Sequence, residues 1–217
     1  MKLNIYQLCT KDLNVGSIRV VLNNSLREKV RQIVSDLRFK KKSKEISTAL
    51  GIDYTTLWDY CNRRNSIPLI ILKKLETISG KEFNQSKFRF VCGHQKISVK
   101  LPTEMDETLA KIVGAIIADG HLKIRESKRG HHYELVLREE YYSNVKAFSQ
   151  WLNKAFGIQL EPKKEDNHYS IYLSNKIIVL YLTSVLNLPS GRKVDIVSIP
   201  EIFKRSQIFR TTRNFHV

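Results

Sequence analysis

An α+β fold is predicted, with an all-α N-terminal region followed by one αββαββα region, and three observations predict it. Apolar residues recur at helical spacing through most of residues 25–82, strand-like stretches in pairs alternate with helical stretches after residue 120, and the charge is concentrated at the front. The 217 residues carry 37 Lys+Arg against 21 Asp+Glu, a formal charge of +16, and 42% of them are hydrophobic. Residues 1–100 hold 20 basic and 8 acidic side chains, a balance of +12, whereas 101–217 hold 17 and 13, a balance of +4. A chain of this length can bury the core of one large or two small domains. Its charge favours a polyanionic partner, the plainer alternative being a solvated basic surface. No apolar run approaches the roughly 18 residues of a spanning helix, and the opening lacks the apolar core of a signal peptide, so a cytoplasmic protein is expected. Cys9, Cys61 and Cys92 are odd in number and form no CxxC pair, which points to reduced thiols rather than disulfides or structural zinc.

Residues 1–24 read as an N-terminal extension in which Leu3-Asn4-Ile5-Tyr6 and Ser17 to Leu22 flank turn formers at Asn14 and Gly16, a possible hairpin. Ser25 is a plausible N-cap for an amphipathic helix through Leu26, Val30, Ile33 and Leu37, ending in Lys40-Lys41-Lys42. Ser43 can cap a short helix bearing Ile46, Ala49 and Leu50, and Gly51 supplies the turn into another that begins near Asp53. Leu57, Tyr60 and Cys61 share one face of that helix, leaving Tyr54, Thr55, Trp58 and Asp59 on the others. Pro68 suits the first turn of the next helix, where Leu72, Leu75 and Ile78 recur before Gly80. Short helices joined by a Gly turn make residues 25–82 a helix-turn-helix domain. Residues 83–100 read as a linker with a strand near Phe88 to Val91, and Cys92 with His94 is too sparse for a metal site.

The run Ile46-Ser47-x-x-Leu50-Gly51-Ile52-Asp53-x-x-Thr56-Leu57 resembles the repressor/Cro-type helix-turn-helix, with Ser47 where Ala is usual. The resemblance implies that the second helix of the motif enters the major groove of double-stranded DNA. Tyr54, Thr55, Trp58 and Asp59 then become base-reading candidates, and Asn62, Arg63 and Arg64 phosphate contacts. Trp58 has a second reading as partly buried core, and Arg63 and Arg64 a second reading as solvated charge.

From Pro102 the pattern changes. Thr103 or Asp106 can cap a helix in which Leu109, Ile112, Val113, Ile116 and Ile117 form a broad apolar surface. Ala110, Gly114 and Ala118 stand four apart and form a strip that another helix could approach closely. Asp119-Gly120 closes the helix with a carboxylate where the dipole disfavours an anion, so a cation is wanted there. A hairpin of 121–125 and 132–137, a helix 143–156, a second hairpin of 158–163 and 168–173 and a helix 175–186 follow.

Ile112 to Gly120, reading IVGAIIADG, together with this order of elements, resembles the LAGLIDADG (dodecapeptide) homing-endonuclease family, with Ile117 in place of the motif's first Asp. The resemblance covers about residues 101–203 of a domain taken as 101–217. It implies that the helices of two motif copies pack together and each delivers its terminal acid to divalent metal. Asp119 is the implied catalytic ligand and the Ala118 carbonyl a second, with Mg2+ as cofactor and Mn2+ able to substitute. Lys193, or Arg192 in its place, matches a basic position near the scissile phosphate. The hairpins would lie along the major groove, making Lys123, Arg125 and Arg138 candidate DNA contacts, with Lys128, Arg129, Lys163 and Lys164 beside them. With one motif in the chain, a homodimer through residues 107–119, using Ala110, Gly114 and Ala118, competes with the front part of a two-motif chain. The expected function is a site-specific, metal-dependent DNA endonuclease acting as a dimer. The alternatives are a non-catalytic DNA-binding regulator, a relic of a two-motif enzyme, and an RNA-splicing maturase.

Overall fold

In the computed structural model the described residues are 2–11, 17–92, 98–127 and 130–191, and the chain divides into two units, Cys9–Ser98 and a second made of residues before Cys9 with those from Val99 on. The division falls within the short helix α1 (Leu8–Lys11). Both units mix helices with an antiparallel sheet, so the chain is α+β, but its first unit is not the all-α region expected, since β2 falls within residues 25–82.

The first unit contains β1 (Ile18–Val21), α2 (Asn24–Lys40), α3 (Ser43–Leu50), α4 (Tyr54–Asn62), β2 (Ser66–Pro68), α5 (Leu69–Ser79) and β3 (Phe90–Cys92). The expected hairpin within residues 1–24 is not formed by the described residues: β1 pairs with β2 and β3 in the order β2-β1-β3. Val20, with Ile67 and Phe90 opposite, is wholly buried, and burial of all three favours this long-range pairing over a local one. The unit therefore reaches beyond both ends of the expected 25–82 domain. Caps also shift slightly. Asn23, not Ser25, caps α2 by accepting from the Leu26 amide at 2.8 Å, and Ser43 is the first residue of α3 rather than its cap. Gly51 ends α3 at φ +70°, a left-handed conformation that costs a residue with a Cβ far more. Two cations satisfy the carbonyls that helix ends leave open: Lys74 Nζ donates to Leu50 O at 2.7 Å and Arg31 Nε to Cys61 O at 2.9 Å. Arg19 donates to Ser66 Oγ and O at 2.8 and 2.7 Å while lying over the Tyr60 ring. Part of the basic excess thus holds the unit together.

The second unit runs α6 (Glu107–Ala118), β4 (Gly120–Ser127), β5 (Gly130–Glu139), α7 (Tyr142–Phe156), β6 (Lys163–Glu165), β7 (His168–Ser174) and α8 (Lys176–Leu180), which continues as a π-turn over Tyr181–Val185. The order αββαββα is present among these residues, and the sheet order is β4-β5-β7-β6, antiparallel throughout. Asp106 caps α6, accepting from the Leu109 amide at 2.7 Å. One sheet face, with Leu122, Leu135, Leu137, Ile171 and Leu173, is buried with Phe148, Leu152 and Phe156 of α7. Leu3, Ile5 and Leu8 join this core. The run expected as a strand is instead a 3-10 turn, Ile5–Gln7, held where Leu3 N donates to Thr103 O at 2.7 Å. Buried Tyr181 donates its hydroxyl to Pro102 O at 2.9 Å and meets Phe156 edge-on. Among the described residues no helix is long and apolar enough to cross a membrane.

Candidate nucleic-acid interface and metal centre

Helix α4 buries Leu57, Tyr60 and Cys61, so its other side chains face outward by the helical period alone. Thr55, Trp58, Asn62, Arg63 and Arg64 are exposed, and Tyr54 and Asp59 are half-buried. Trp58 is 45% exposed, and the Arg63 guanidinium lies over its ring at 4.8 Å from the centre. Arg63 also pairs with Asp59 at 3.8 Å, and the Asn62 amide donates back to Trp58 O at 2.9 Å. Arg38 of α2 lies over the Tyr54 ring at 5.6 Å, bringing the end of α2 beside the start of α4. The thiol of Cys61, behind this surface, is pushed up to about 11 by burial, against the pull of Arg31 and Arg27.

A second basic surface lies on the sheet of the other unit. Strand alternation sends Leu122, Leu135, Leu137 and Leu173 inward and the intervening residues outward. Cross-strand register then aligns Lys123 with Glu134, Arg125 with His132 and Arg138 with Ser170 on the outer face. Lys163, opposite Ser170, shares that face, and Lys164, opposite Tyr169, lies on the other. Arg138 is drawn toward Glu165 at 3.6 Å. Glu165 also accepts from Ser170 at 2.6 Å and meets His168 at 2.8 Å, and these partners hold its carboxyl below the usual range.

The chain passes from α6 into β4 with a single residue, Asp119, between them. A Cβ on Gly120 would stand 2.7 Å from Ile116 Cα, so only glycine lets the strand turn back this tightly. Because Gly120 pairs with Leu137, the end of β5 comes alongside Asp119. There Glu139 is half-buried, and burial first, then a hydrogen bond to Asp119 and that residue's charge, hold the Glu139 carboxyl above the usual range. Sequence reasoning missed Glu139. No motif flags a carboxylate at the end of a strand, and only the register of β4 on β5 pairs it with Asp119. Two carboxylates and the Ala118 carbonyl are hard oxygen donors, of the kind magnesium takes one or two at a time alongside water and substrate phosphate. The donor chemistry fits a divalent cation, although among the described residues no group of three or more His, Cys, Asp or Glu gathers.

The strip expected to meet a second helix is only partly available. Gly114 is half-buried with open space above it, and Ala118 is exposed. Ala110, in contrast, is 6% exposed and belongs to its own unit's core. Each step of four residues turns about 40° around a helix, so two steps carry Ala110 off the face that Ala118 presents. Lys193 and Arg192 lie outside the described residues, as do Lys128, Arg129, His94, Asn14, Gly16 and the Ile199-Pro200 segment.

No family model matches the chain. The sequence is similar to glutamine–fructose-6-phosphate aminotransferase (isomerizing) of Methanocaldococcus jannaschii, at 24% identity over 232 residues, which cover 95% of this chain and 19% of the relative. The chain thus spans about a fifth of the length of that curated relative.

Proposed function

We propose that this chain is a site-specific double-stranded-DNA-binding protein whose second unit is a LAGLIDADG-type endonuclease module, acting as a dimer with magnesium. The observation that carries the reading is the junction of α6 and β4. There Gly120, where any Cβ would meet the Ile116 backbone, sets Asp119 beside Glu139, whose carboxyl is held above its usual range first by burial and then by Asp119. Support comes from the outward faces described above. Thr55 and Trp58 on α4, with Arg63 just after it, present an aromatic and cationic surface, and Lys123, Arg125 and Arg138 share one face of the sheet. The aminotransferase likeness reaches only a fifth of that enzyme, so its activity stays with the relative.

In this reading Asp119, Glu139 and the Ala118 carbonyl hold the cation, and Gly114 and Ala118 form the contact with a second motif helix. A divalent cation supplies activation of water and stabilisation of the leaving oxygen in phosphodiester hydrolysis. The residues of α4 and the outer sheet bind phosphates and base edges, which positions the backbone before cleavage. Lys193 remains the proposed basic neighbour of the scissile phosphate.

The test is selection of a duplex target from a randomised library, followed by binding and cleavage assays in magnesium or manganese. Wild type is expected to cut both strands. Asp119→Asn is expected to bind equally well and lose cutting, and Gly114→Leu, whose Cβ meets nothing within 4 Å, to lose the dimer and cutting together. A wild-type protein that binds a selected site tightly yet stays inert in both metals returns the non-catalytic regulator.

A further inference from the structure

The chain between α2 and α3 is made entirely of lysine. Lys40 ends α2, Lys41 donates its backbone N–H to Leu37 O as the cap, and Lys42 precedes α3, whose second residue is Lys44. All four are exposed, and among the described residues Lys41, Lys42 and Lys44 form no salt bridge with an acid. Asp36, one turn before Lys40, is held by Lys81, and one acid, Glu45, follows Lys44 in the first turn of α3. Like charges gathered on one turn repel one another, and a polyanion relieves that repulsion most effectively.

Phe39 stands within this run at 89% exposure, the most exposed large apolar side chain among the described residues. It lines a cleft of about 300 Å3 with apolar Leu37 and Ile78, with Lys40, Lys41 and Lys81, and with one acid, Asp36. An apolar protein partner would have to bring acidic groups to so cationic a rim. Duplex DNA offers both kinds of surface at once, phosphates for the lysines and sugar faces or thymine methyls for a ring. The corner also adjoins the start of α4, because Arg38, the residue before Phe39 in α2, lies over Tyr54 in the first turn of α4.

We infer that the α2–α3 corner is a further DNA-contacting element: Lys40, Lys41 and Lys42 bind phosphates flanking the stretch read by α4, and Phe39 packs on the adjoining sugar and base edges. This rests on the DNA-binding reading above and extends it to residues outside the helix-turn-helix motif.

The experiment measures binding of the full-length chain to a duplex carrying its selected site as salt is varied. A Lys40→Ala/Lys41→Ala double variant is expected to reduce the slope of log affinity against log salt by about 1.8, the share of two phosphate contacts. Phe39→Ala is expected to weaken binding about tenfold at unchanged slope, and Phe39→Trp to restore it. Circular dichroism of each variant guards against loss of fold, which full exposure of these side chains argues against. Unaltered affinity and slope in all three variants, while Arg63→Ala still weakens binding, overturn this inference and leave the DNA-binding reading standing. Failure of wild type to bind any duplex in a salt-dependent manner overturns that reading first. A Phe39→Ala variant that loses self-association rather than DNA assigns the ring to a second copy of the chain and also overturns the inference.

Discussion

The same substitution made at two glycines six residues apart should move stability in opposite directions. At Gly114, in mid-α6, a Cβ finds nothing within 4 Å. Alanine there removes the backbone entropy penalty of glycine in a helix, a gain of about 0.5–1 kcal/mol. At Gly120 the backbone torsion is ordinary, outside the left-handed region, so the obstacle is purely steric. The new Cβ would sit 2.7 Å from Ile116 Cα and 3.3 Å from Ile116 O, and neither is a flexible side-chain end. Forcing backbone apart costs about 1–3 kcal/mol, offset by about 0.4–1 kcal/mol from a stiffer unfolded chain, for a net loss of about 1–2 kcal/mol. With a urea slope of about 2 kcal/mol/M, Gly114→Ala raises the unfolding midpoint by about 0.25–0.5 M and Gly120→Ala lowers it by about 0.5–1 M. The chain has two tryptophans, Trp58 in one unit and Trp151 in the other. A Trp58→Phe background therefore lets Trp151 fluorescence report the relevant unit alone. Shifts of equal sign, or a Gly120→Ala midpoint at or above wild type, would refute the steric account of the α6–β4 turn.

Three further outcomes follow from side-chain environments. Cys61, its thiol held up to about 11 against an ordinary 9.0, should carry about 100-fold less thiolate than a free cysteine near pH 8; alkylation mapped by mass spectrometry should leave it unmodified until denaturant is added, and rapid native labelling would contradict its burial. The Glu165 carboxyl is lowered first by Ser170, then by His168, with Arg138 adding a smaller pull, so its contribution to stability is complete above its ordinary 4.5 and disappears as pH falls through the lower folded value. The gap in urea midpoint between wild type and Glu165→Gln should accordingly close on acidification below about 4.5, and a gap independent of pH would exclude this partnership. Arg19→Ala should cost about 2 kcal/mol by orphaning Ser66, and Arg19→Lys should recover little, since one ammonium cannot repeat the two-point contact; full recovery by lysine in thermal unfolding would show that charge alone matters.

Periodicity over long segments made much of the architecture legible before any coordinates. The apolar spacing of Leu26, Val30, Ile33 and Leu37 anticipates α2, and strand alternation anticipates that Lys123, Arg125 and Arg138 share a face. Four residues are too few for that signal. Leu3-Asn4-Ile5-Tyr6 alternates like a strand, yet Ile5 and Tyr6 are both buried, which a 3-10 turn allows and a half-buried strand does not. Pairing partners are equally invisible, because β1 finds β2 and β3 through contacts tens of residues away. Of the candidate site, Asp119 is marked by its motif, whereas Glu139 acquires meaning only when register sets it against Asp119. Ala110 turns into its own unit's core for a simpler reason, the drift of a four-residue repeat around a helix of 3.6 residues per turn.

The tie between Leu3 and Thr103 has a consequence for how the protein is made. Residues before Cys9 complete a core whose other members begin at Val99, so this segment meets its packing partners only after the whole Cys9–Ser98 unit has followed it. Closing a loop of about 100 residues by chain entropy alone costs roughly 4 kcal/mol. A Cys9–Ser98 unit already folded would shorten the effective loop and lower that cost. Synthesis in the N-to-C direction then favours an order in which this unit folds first, while Leu3, Ile5 and Leu8 wait in solvent until the residues from Val99 on have been added.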